Sequence, residues 1–470
     1  VTRNKTAVWW RVVWRYLLKV MVTLLATIVG CTVLLAIGFA IPNGRIINHV
    51  VAQSRSGLNS ASYQPNGLGN RTDTYTETIG YCIGVLPAHS QMPLWKRVSM
   101  VPRCTAGPQA AVMMTHFQSH PNELTSGAGT YIRYWSGFSV ISRPALALGG
   151  VYMARAVSLL CLVAAVFYLA VMLARRAGLW AAVGLVGVYL GTTDLLALTS
   201  QFTHALAQAT ILATGAMMLQ FGRRWQTAGY LAVVSGGLFA FMDLLTNPPA
   251  SCALTVAMAG LAGWTGSRRI RTTLAFLASS TLGWLVGFVG TWVARWVEAM
   301  PYNGWRTTVS NVRDTAKFRL DGDVSSAGHH YAVNLEPGAT TMTNIRMWLS
   351  YPLSPYVLAV VILLALVIIV WLLLRDRHSL VGMLILLIPV LYVPGYLEIM
   401  RNHSQIHSWF VFRDVAMGFA VTAAVCLHFL QEKVRSHAVP ASAQGSDDAA
   451  DLGRGERSEE TNGAASTSVS

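Results

Sequence analysis

Charge is the first thing this sequence lacks. Only 12% of its 470 residues are Asp, Glu, Lys or Arg, while 53% are hydrophobic. Soluble domains carry about 25% charged residues, so the composition excludes an ordinary soluble globule and indicates a membrane protein. Acidic residues are the scarcer kind, 20 against 35 basic ones, for a net charge of +15. The sequence also has no Walker phosphate loop, no GxGxxG pattern after a strand, no CxxC pair and no HExxH helix, which removes the common nucleotide, redox and zinc-protease signatures. No internal repeat is visible, whereas transporters often show repeated halves.

What is present is a series of long apolar runs. Runs of about eighteen or more such residues mark membrane-spanning helices. The chain offers about ten by that measure: roughly 17–41, 151–173, 178–198, 203–221, 228–246, 250–266, 273–297, 355–374, 380–397 and 409–430. The expected fold is an all-α integral membrane protein with about ten transmembrane helices. Residues 1–435 form the membrane domain, with long exoplasmic loops at 43–150 and 298–353 and interfacial helices in the first. Residues 436–470, acidic, polar and low in aromatics, read as a disordered cytoplasmic tail. The first run exceeds the 7–15 apolar residues of a signal-peptide core and is read as a retained anchor.

The basic residues explain themselves by position. Arg3, Lys5, Arg11, Arg15 and Lys19 precede the first run, and Arg175, Arg176, Arg223, Arg224, Arg268, Arg269, Arg271, Arg375, Arg377, Lys433 and Arg435 sit in alternate connections. Cytoplasmic loops carry this bias. The expected topology is a multi-pass plasma-membrane protein with both termini cytoplasmic, and nucleic acid is not expected as a partner.

Candidate chemistry gathers at the opposite ends of the spans. The richest stretch is Glu398–Arg413, EIMRNHSQIHSWFVFR, with Glu398, Arg401, Asn402, His403, His407 and Arg413. Histidine relays protons near neutrality, and arginine pairs with phosphate or carboxylate. His403 and His407 stand four apart, as metal ligands on a helix do, but without a clear third ligand. In the first long loop Asp73 and Glu77 stand four apart in DTYTE. Asp73 reads as the N-cap of a helix, with Glu77 on the same side, and either as a general base or as a cap alone. Tyr131–Ile141 reads as an interfacial helix with Tyr131, Tyr134, Trp135 and Phe138 at the headgroup boundary. Arg133 and Arg143 are placed to hold a lipid phosphate. Cys82 and Cys104 share this loop, where a disulfide is permitted, and they either pair or stay as thiols. Cys31, Cys161, Cys252 and Cys426 lie in spans and read as packing residues. Asp194, Gln201 and His204 fall near the exoplasmic end of one span, and Asp243, Thr246 and Asn247 near that of another. Ionisable residues in spans usually face an internal cavity, or one of these carboxylates pairs with Arg155 or Arg413. The second long loop, with Arg306, Arg313, Lys317, Arg319, His329, His330 and Arg346, is basic without being cytoplasmic, which suits anionic headgroups or diphosphates.

Taken together, DTYTE after the first span, RYWSGFSVISRPAL before the second, SQF after the third, DLLTNPP after the fifth and NHSQIHSWFVFR before the last resemble a family of uncharacterised bacterial polytopic membrane proteins. The resemblance covers most of residues 60–413. The family usually has a histidine where this chain has Ser136, so that position is given no essential role. The layout is similar to the GT-C class of integral membrane glycosyltransferases: one span, a long exoplasmic loop opening on an acidic residue, then a many-span bundle. That likeness implies transfer of a sugar from a polyprenyl-phosphate donor to an envelope glycan or glycolipid acceptor at the exoplasmic face, with membrane lipids as surroundings. It assigns catalysis to Asp73 as base, with Asp243, His403 and His407. Substrate binding falls to Glu77, Arg133, Tyr134, Trp135, Arg143, Asp194, Gln201, Glu398, Arg401, Asn402 and Arg413. No cofactor is required, although Asp243 or Asp194 could orient a divalent metal instead of the acceptor. The alternative is a transporter or flippase for an envelope lipid or polymer precursor, in which Asp194, Asp243 and Glu398 line a pathway.

Overall fold

The computed structural model describes residues 2–58, 63–65, 71–123, 129–320, 325–326, 329–330 and 333–438. Among these residues the strands are three short antiparallel pairs, and nearly everything else is helix. The helices are α1 (Thr2–Ala40), α2 (Asn43–Arg55), α3 (Thr74–Cys82), α4 (Leu94–Met100), α5 (Gln109–Ser119), α6 (Ser139–Arg176), α7 (Leu179–Thr192), α8 (Leu195–Thr199), α9 (Phe202–Phe221) and α10 (Trp225–Met242). They continue as α11 (Pro248–Ser267), α12 (Ile270–Asn303), α13 (Trp305–Leu320), α14 (Ala339–Leu349), α15 (Ser354–Arg375), α16 (Arg377–Leu387), α17 (Tyr392–Ile399), α18 (Arg401–Ile406), α19 (Ser408–Val411) and α20 (Arg413–Ala438).

Among the described residues, seven helical stretches are long and apolar enough to cross a membrane: Trp10–Ala40, Ser139–Arg176, Phe202–Phe221, Ile270–Asn303, Ser354–Arg375, Arg377–Ile399 and Ser408–Arg435. This is a helical membrane protein. The other apolar runs of the sequence form α7, which has only 14 residues, and α10 and α11, which are richer in small and polar residues. Most of the α11 side chains are buried, so protein rather than lipid is their solvent. The tail expected from residue 436 begins inside α20, which runs to Ala438; residues 439–470 lie outside the described residues.

Close packing of α10 on α12 depends on glycine. A Cβ at Gly287 would lie 2.0 Å from the Val233 carbonyl oxygen, one at Gly236 2.2 Å from that of Trp284, and one at Gly283 2.3 Å from that of Gly229. Small residues at such crossings let two backbones approach, which supplies van der Waals attraction where lipid removes the hydrophobic drive. Gly287→Val is expected to force these helices apart and lower the midpoint of thermal unfolding in detergent by several degrees, given an overpacking cost of about 1–3 kcal/mol. An unchanged midpoint would mean that the crossing carries little stability.

The segment between α1 and α6 packs into a hydrophobic core that it shares with α1, α6, α9 and α10. Helix α2 is amphipathic and buries Ile46, Ile47, Val50 and Val51 against α6. Where α2 meets α6, the latter breaks at Gly149 and Gly150, the second at φ 71°. The Gln53 side chain bridges the break, donating to the Gly149 carbonyl at 2.9 Å and accepting from the Val151 N–H at 2.7 Å. Arg143 clamps the segment to the end of α1. Its guanidinium donates to the carbonyls of Gly38, Ile41 and Ile83 and to Asn43 Oδ1, at 2.7 to 3.0 Å.

Cys82 and Cys104 form a disulfide with Cα atoms 5.1 Å apart. Thiol labelling at either position is therefore expected to require prior reduction. Reduction should cost about 2–4 kcal/mol of stability, read as earlier protease cleavage in this segment. Ready labelling of either cysteine without reductant would refute the bond.

One expectation is corrected here. Tyr131–Phe138 is a loop rather than the start of an interfacial helix, and α6 begins only at Ser139. Its rings lie inside the protein: Tyr131, Tyr134, Trp135 and Phe138 are all buried. The cause is local. Ser136 has φ 58°, and Gly137 donates its N–H to the Phe241 carbonyl at 2.7 Å. A Cβ at Gly137 would stand 2.3 Å from the Phe241 ring, so the chain is pinned to the end of α10 rather than coiled.

Candidate functional site

A polar cavity of about 570 Å³ opens where the loops above α3, α10 and α13 meet the segment from α18 to α19. Asp73, Thr76, Arg103, Arg133, Tyr134, Thr246, Arg319, His403 and His407 line it, with Tyr63, Tyr75, Trp409 and Phe410 among the aromatic residues.

Asp73 is there because it starts a helix. The first four N–H groups of any helix lack internal partners, and Asp73 accepts from the Thr76 N–H at 2.9 Å and from Thr76 Oγ1 at 2.5 Å. His204, near the start of α9, brings Nε2 to 3.5 Å from Asp73 Oδ2, and both side chains are buried. Burial alone would raise the carboxyl pKa. The His204 and Thr76 contacts outweigh it, and the carboxyl is held below its ordinary range. Asp73 therefore faces the cavity as a carboxylate.

Three arginines share the lining with Asp73, the one acid among its described residues. Among the described residues, no ion pair involves Arg103, Arg133 or Arg319. Arg103, on the strand Pro102–Arg103, lies 4.8 Å from the centre of the Tyr131 ring, and Arg133 lies 5.5 Å from the same ring. Arg319, at the end of α13, is nearly buried. It donates to the Tyr134 hydroxyl at 2.5 Å and to His403 Nδ1. Because a guanidinium only donates, His403 Nδ1 accepts, and its proton sits on Nε2. That nitrogen donates to the Leu245 carbonyl at 2.6 Å. His403 is thus engaged at both nitrogens and positions Arg319.

His407 is different. Its ring packs against Phe410 and Trp409, with centroids 5.2 and 5.1 Å away, and buried Nδ1 has no hydrogen-bond partner among the described residues. Burial first, then the charge of Arg319 and His204, pushes its pKa down to about 3. It faces the cavity as a neutral imidazole.

The remaining candidates are placed as follows. Asp243 lies outside the cavity lining and accepts from the Thr246 N–H at 2.5 Å and from the Thr246 hydroxyl; it shapes the turn that brings Leu244 and Thr246 to the wall. Glu77 is fully buried and forms a two-pronged ion pair with Arg155 on α6, away from the cavity. Trp135 donates to the Thr291 carbonyl at 2.7 Å. Arg143 is occupied by the clamp already described. Asp194 caps α8 and accepts from the Tyr351 hydroxyl at 2.9 Å, while Gln201 is buried at the start of α9. Glu398 accepts twice from Thr341, at 2.8 and 2.7 Å. Arg401 reaches the Leu335 carbonyl at 3.4 Å, Asn402 the Phe318 carbonyl at 2.9 Å, and Arg413 the Thr193 carbonyl at 2.9 Å. Of the sequence candidates, the cavity brings together Asp73, Arg133, Tyr134, His403 and His407. Arg103, Tyr63, Tyr75 and Trp409 carry no signal in the sequence that marks them as site residues, and His204 is marked there only by its place at the end of a span. Arg319 was visible only as one cation of a basic loop.

A second cavity, apolar and about 170 Å³, is lined by Ile345, Val390, Val393, Pro394, Val415 and Phe419, between α14, α17 and α20. No family model, no curated protein and no solved structure matches this chain.

Proposed function

We propose that this protein is a membrane glycosyltransferase of GT-C-like design, using a lipid-phosphate-linked sugar as donor. One observation supports the reading: a carboxylate shares the lining of a cavity of about 570 Å³ with three arginines that have no acidic partner among the described residues. In the proposed step, an acceptor hydroxyl attacks the anomeric carbon of the sugar. Its proton passes to Asp73, and the bond from that carbon to the phosphate oxygen breaks. The lipid phosphate departs with the electron pair, and Arg103, Arg133 and Arg319 stabilise its charge. Neutral His407 offers a hydrogen bond to the sugar, and the aromatic rim of Tyr63, Tyr75 and Trp409 suits its apolar faces. The apolar cavity beside α20 would receive hydrocarbon chain. The acceptor, the sugar and the span count of about ten belong to the same proposal.

The test is turnover by the purified protein reconstituted in lipid, with polyprenyl-phosphate sugars as donors. Sugar transfer is expected. Passage of such a lipid between leaflets without transfer would favour a flippase. Arg319→Met is expected to raise the donor KM about tenfold or more, because a charged hydrogen-bond partner contributes about 1.5–3 kcal/mol. An unchanged KM would remove Arg319 from the phosphate site.

A further inference from the structure

Outside the cavity, the end of α5 carries a second cluster that the proposed transferase does not use. His116, His120 and Glu123 each offer one ligand atom, and these atoms lie within 4.8 Å of one another. The spacing has a backbone cause. His116 and His120 are one helical turn apart, and His120 ends α5, donating its N–H to the His116 carbonyl at 2.9 Å. Pro121 prevents the helix from continuing. The turn that follows brings Glu123 back, its N–H 3.2 Å from the His120 carbonyl.

We propose that these three residues form a binding site for a divalent transition metal, of which zinc is the representative. Glu123 Oε2 lies 2.6 Å from His116 Nε2, a contact in which one proton is shared and which a metal would enter by replacing that proton. The two imidazole rings stack at 4.4 Å, so His120 presents its edge to the same space. His120 Nδ1 is 2.9 Å from Ser119 Oγ and 3.2 Å from the His116 carbonyl. A proton on Nδ1 donates there and leaves Nε2 as the ligand, the arrangement by which an outer partner fixes a metal-binding histidine. The helix C-terminus adds its negative end to the site. Two imidazoles and one carboxylate select zinc, copper or nickel over magnesium or calcium, which prefer oxygen alone. Zinc–nitrogen bonds of about 2.0–2.1 Å require only side-chain closure from the present spacing. Three protein ligands leave further positions to water.

The test uses the full chain in lipid with any affinity tag removed. Cobalt is the spectroscopic probe, followed by displacement with zinc. About one tightly bound cobalt per chain, with visible absorption of a nitrogen-ligated site, is expected. His116→Ala, His120→Ala and Glu123→Gln should each weaken binding at least about tenfold, while His378→Ala, distant in sequence and on another helix, should not. All three side chains are exposed, so the variants should unfold at the same temperature as the parent without metal. Absence of stoichiometric binding would overturn the site. So would undiminished affinity in the His116→Ala/His120→Ala double variant. The readout is binding rather than turnover, so it stands or falls separately from the transferase reading.

Discussion

Asp73→Asn, if Asp73 is the base of the proposed transfer, is expected to lower turnover by about 10²–10⁴-fold, the usual contribution of a general base, while leaving the donor KM and the fold nearly unchanged. The fold should survive because asparagine caps a helix about as well as aspartate, and Thr76 can still donate to the amide oxygen. The base should not survive, because an amide takes no proton at neutral pH. The pH dependence follows from the direction of the Asp73 shift. Its pKa in the folded protein lies below the ordinary value, so its ionised form is more favoured in the fold than in the open chain. That stability is fully present above about pH 4, the unfolded value, and is lost as pH falls through the lower, folded value. Turnover should fail on the same acid side. The check is a pH–rate profile and a melting curve for parent and variant, side by side. Parental turnover in Asp73→Asn would end the base assignment.

Arg143→Met is expected to be among the most destabilising single changes in the protein. It removes a fully buried guanidinium and takes a donor from the carbonyls of Gly38, Ile41 and Ile83 and from the Asn43 amide oxygen, of which Gly38 keeps the Ile41 N–H. Each unsatisfied buried acceptor costs about 1–3 kcal/mol, so a loss of at least about 3 kcal/mol is expected even after relaxation. The readout is the thermal midpoint of the purified protein. A lipid-phosphate ligand would behave otherwise, with a raised donor KM and an unchanged midpoint. The two outcomes separate the clamp from the binding role suggested by an arginine near the start of a span.

The parts of the site legible in sequence are those set by local rules. The DTYTE pattern announces a helix start, and Asp73 accepts from the Thr76 N–H as a cap should. Polar residues between two apolar runs marked Glu398–Arg413, and His403 and His407 from that stretch line the cavity with Asp73. Illegible were the partners that tertiary packing chooses. Arg319 reaches the site from the tip of α13, and Arg103 from a two-residue strand paired with Gly129; neither carries a local signature. The same blindness misplaced Tyr131–Ile141. Its aromatic spacing suits a helix at a headgroup boundary, and only the contact of Gly137 with Phe241 makes it a loop. Glu77 shows the limit from the other side. Helical spacing relates it to Asp73, but Arg155, 78 residues away, decides which way its carboxylate goes.

The disulfide has a consequence for how the cavity comes into being. Cys82 is the last residue of α3, whose first turn Asp73 caps, and Cys104 directly follows Arg103. One covalent bond therefore joins the element that carries the acid to the strand that carries a cation of the same lining. Apart from this bond, the two segments are joined by non-covalent contacts, among them Gly84 N–H to Pro102 O and Gly107 N–H to Thr78 Oγ1, and by a shared hydrophobic cluster. Maturation of the cavity then includes an oxidation. A chain with Cys82 and Cys104 still reduced lacks this covalent tie, and closing it requires a thiol oxidant.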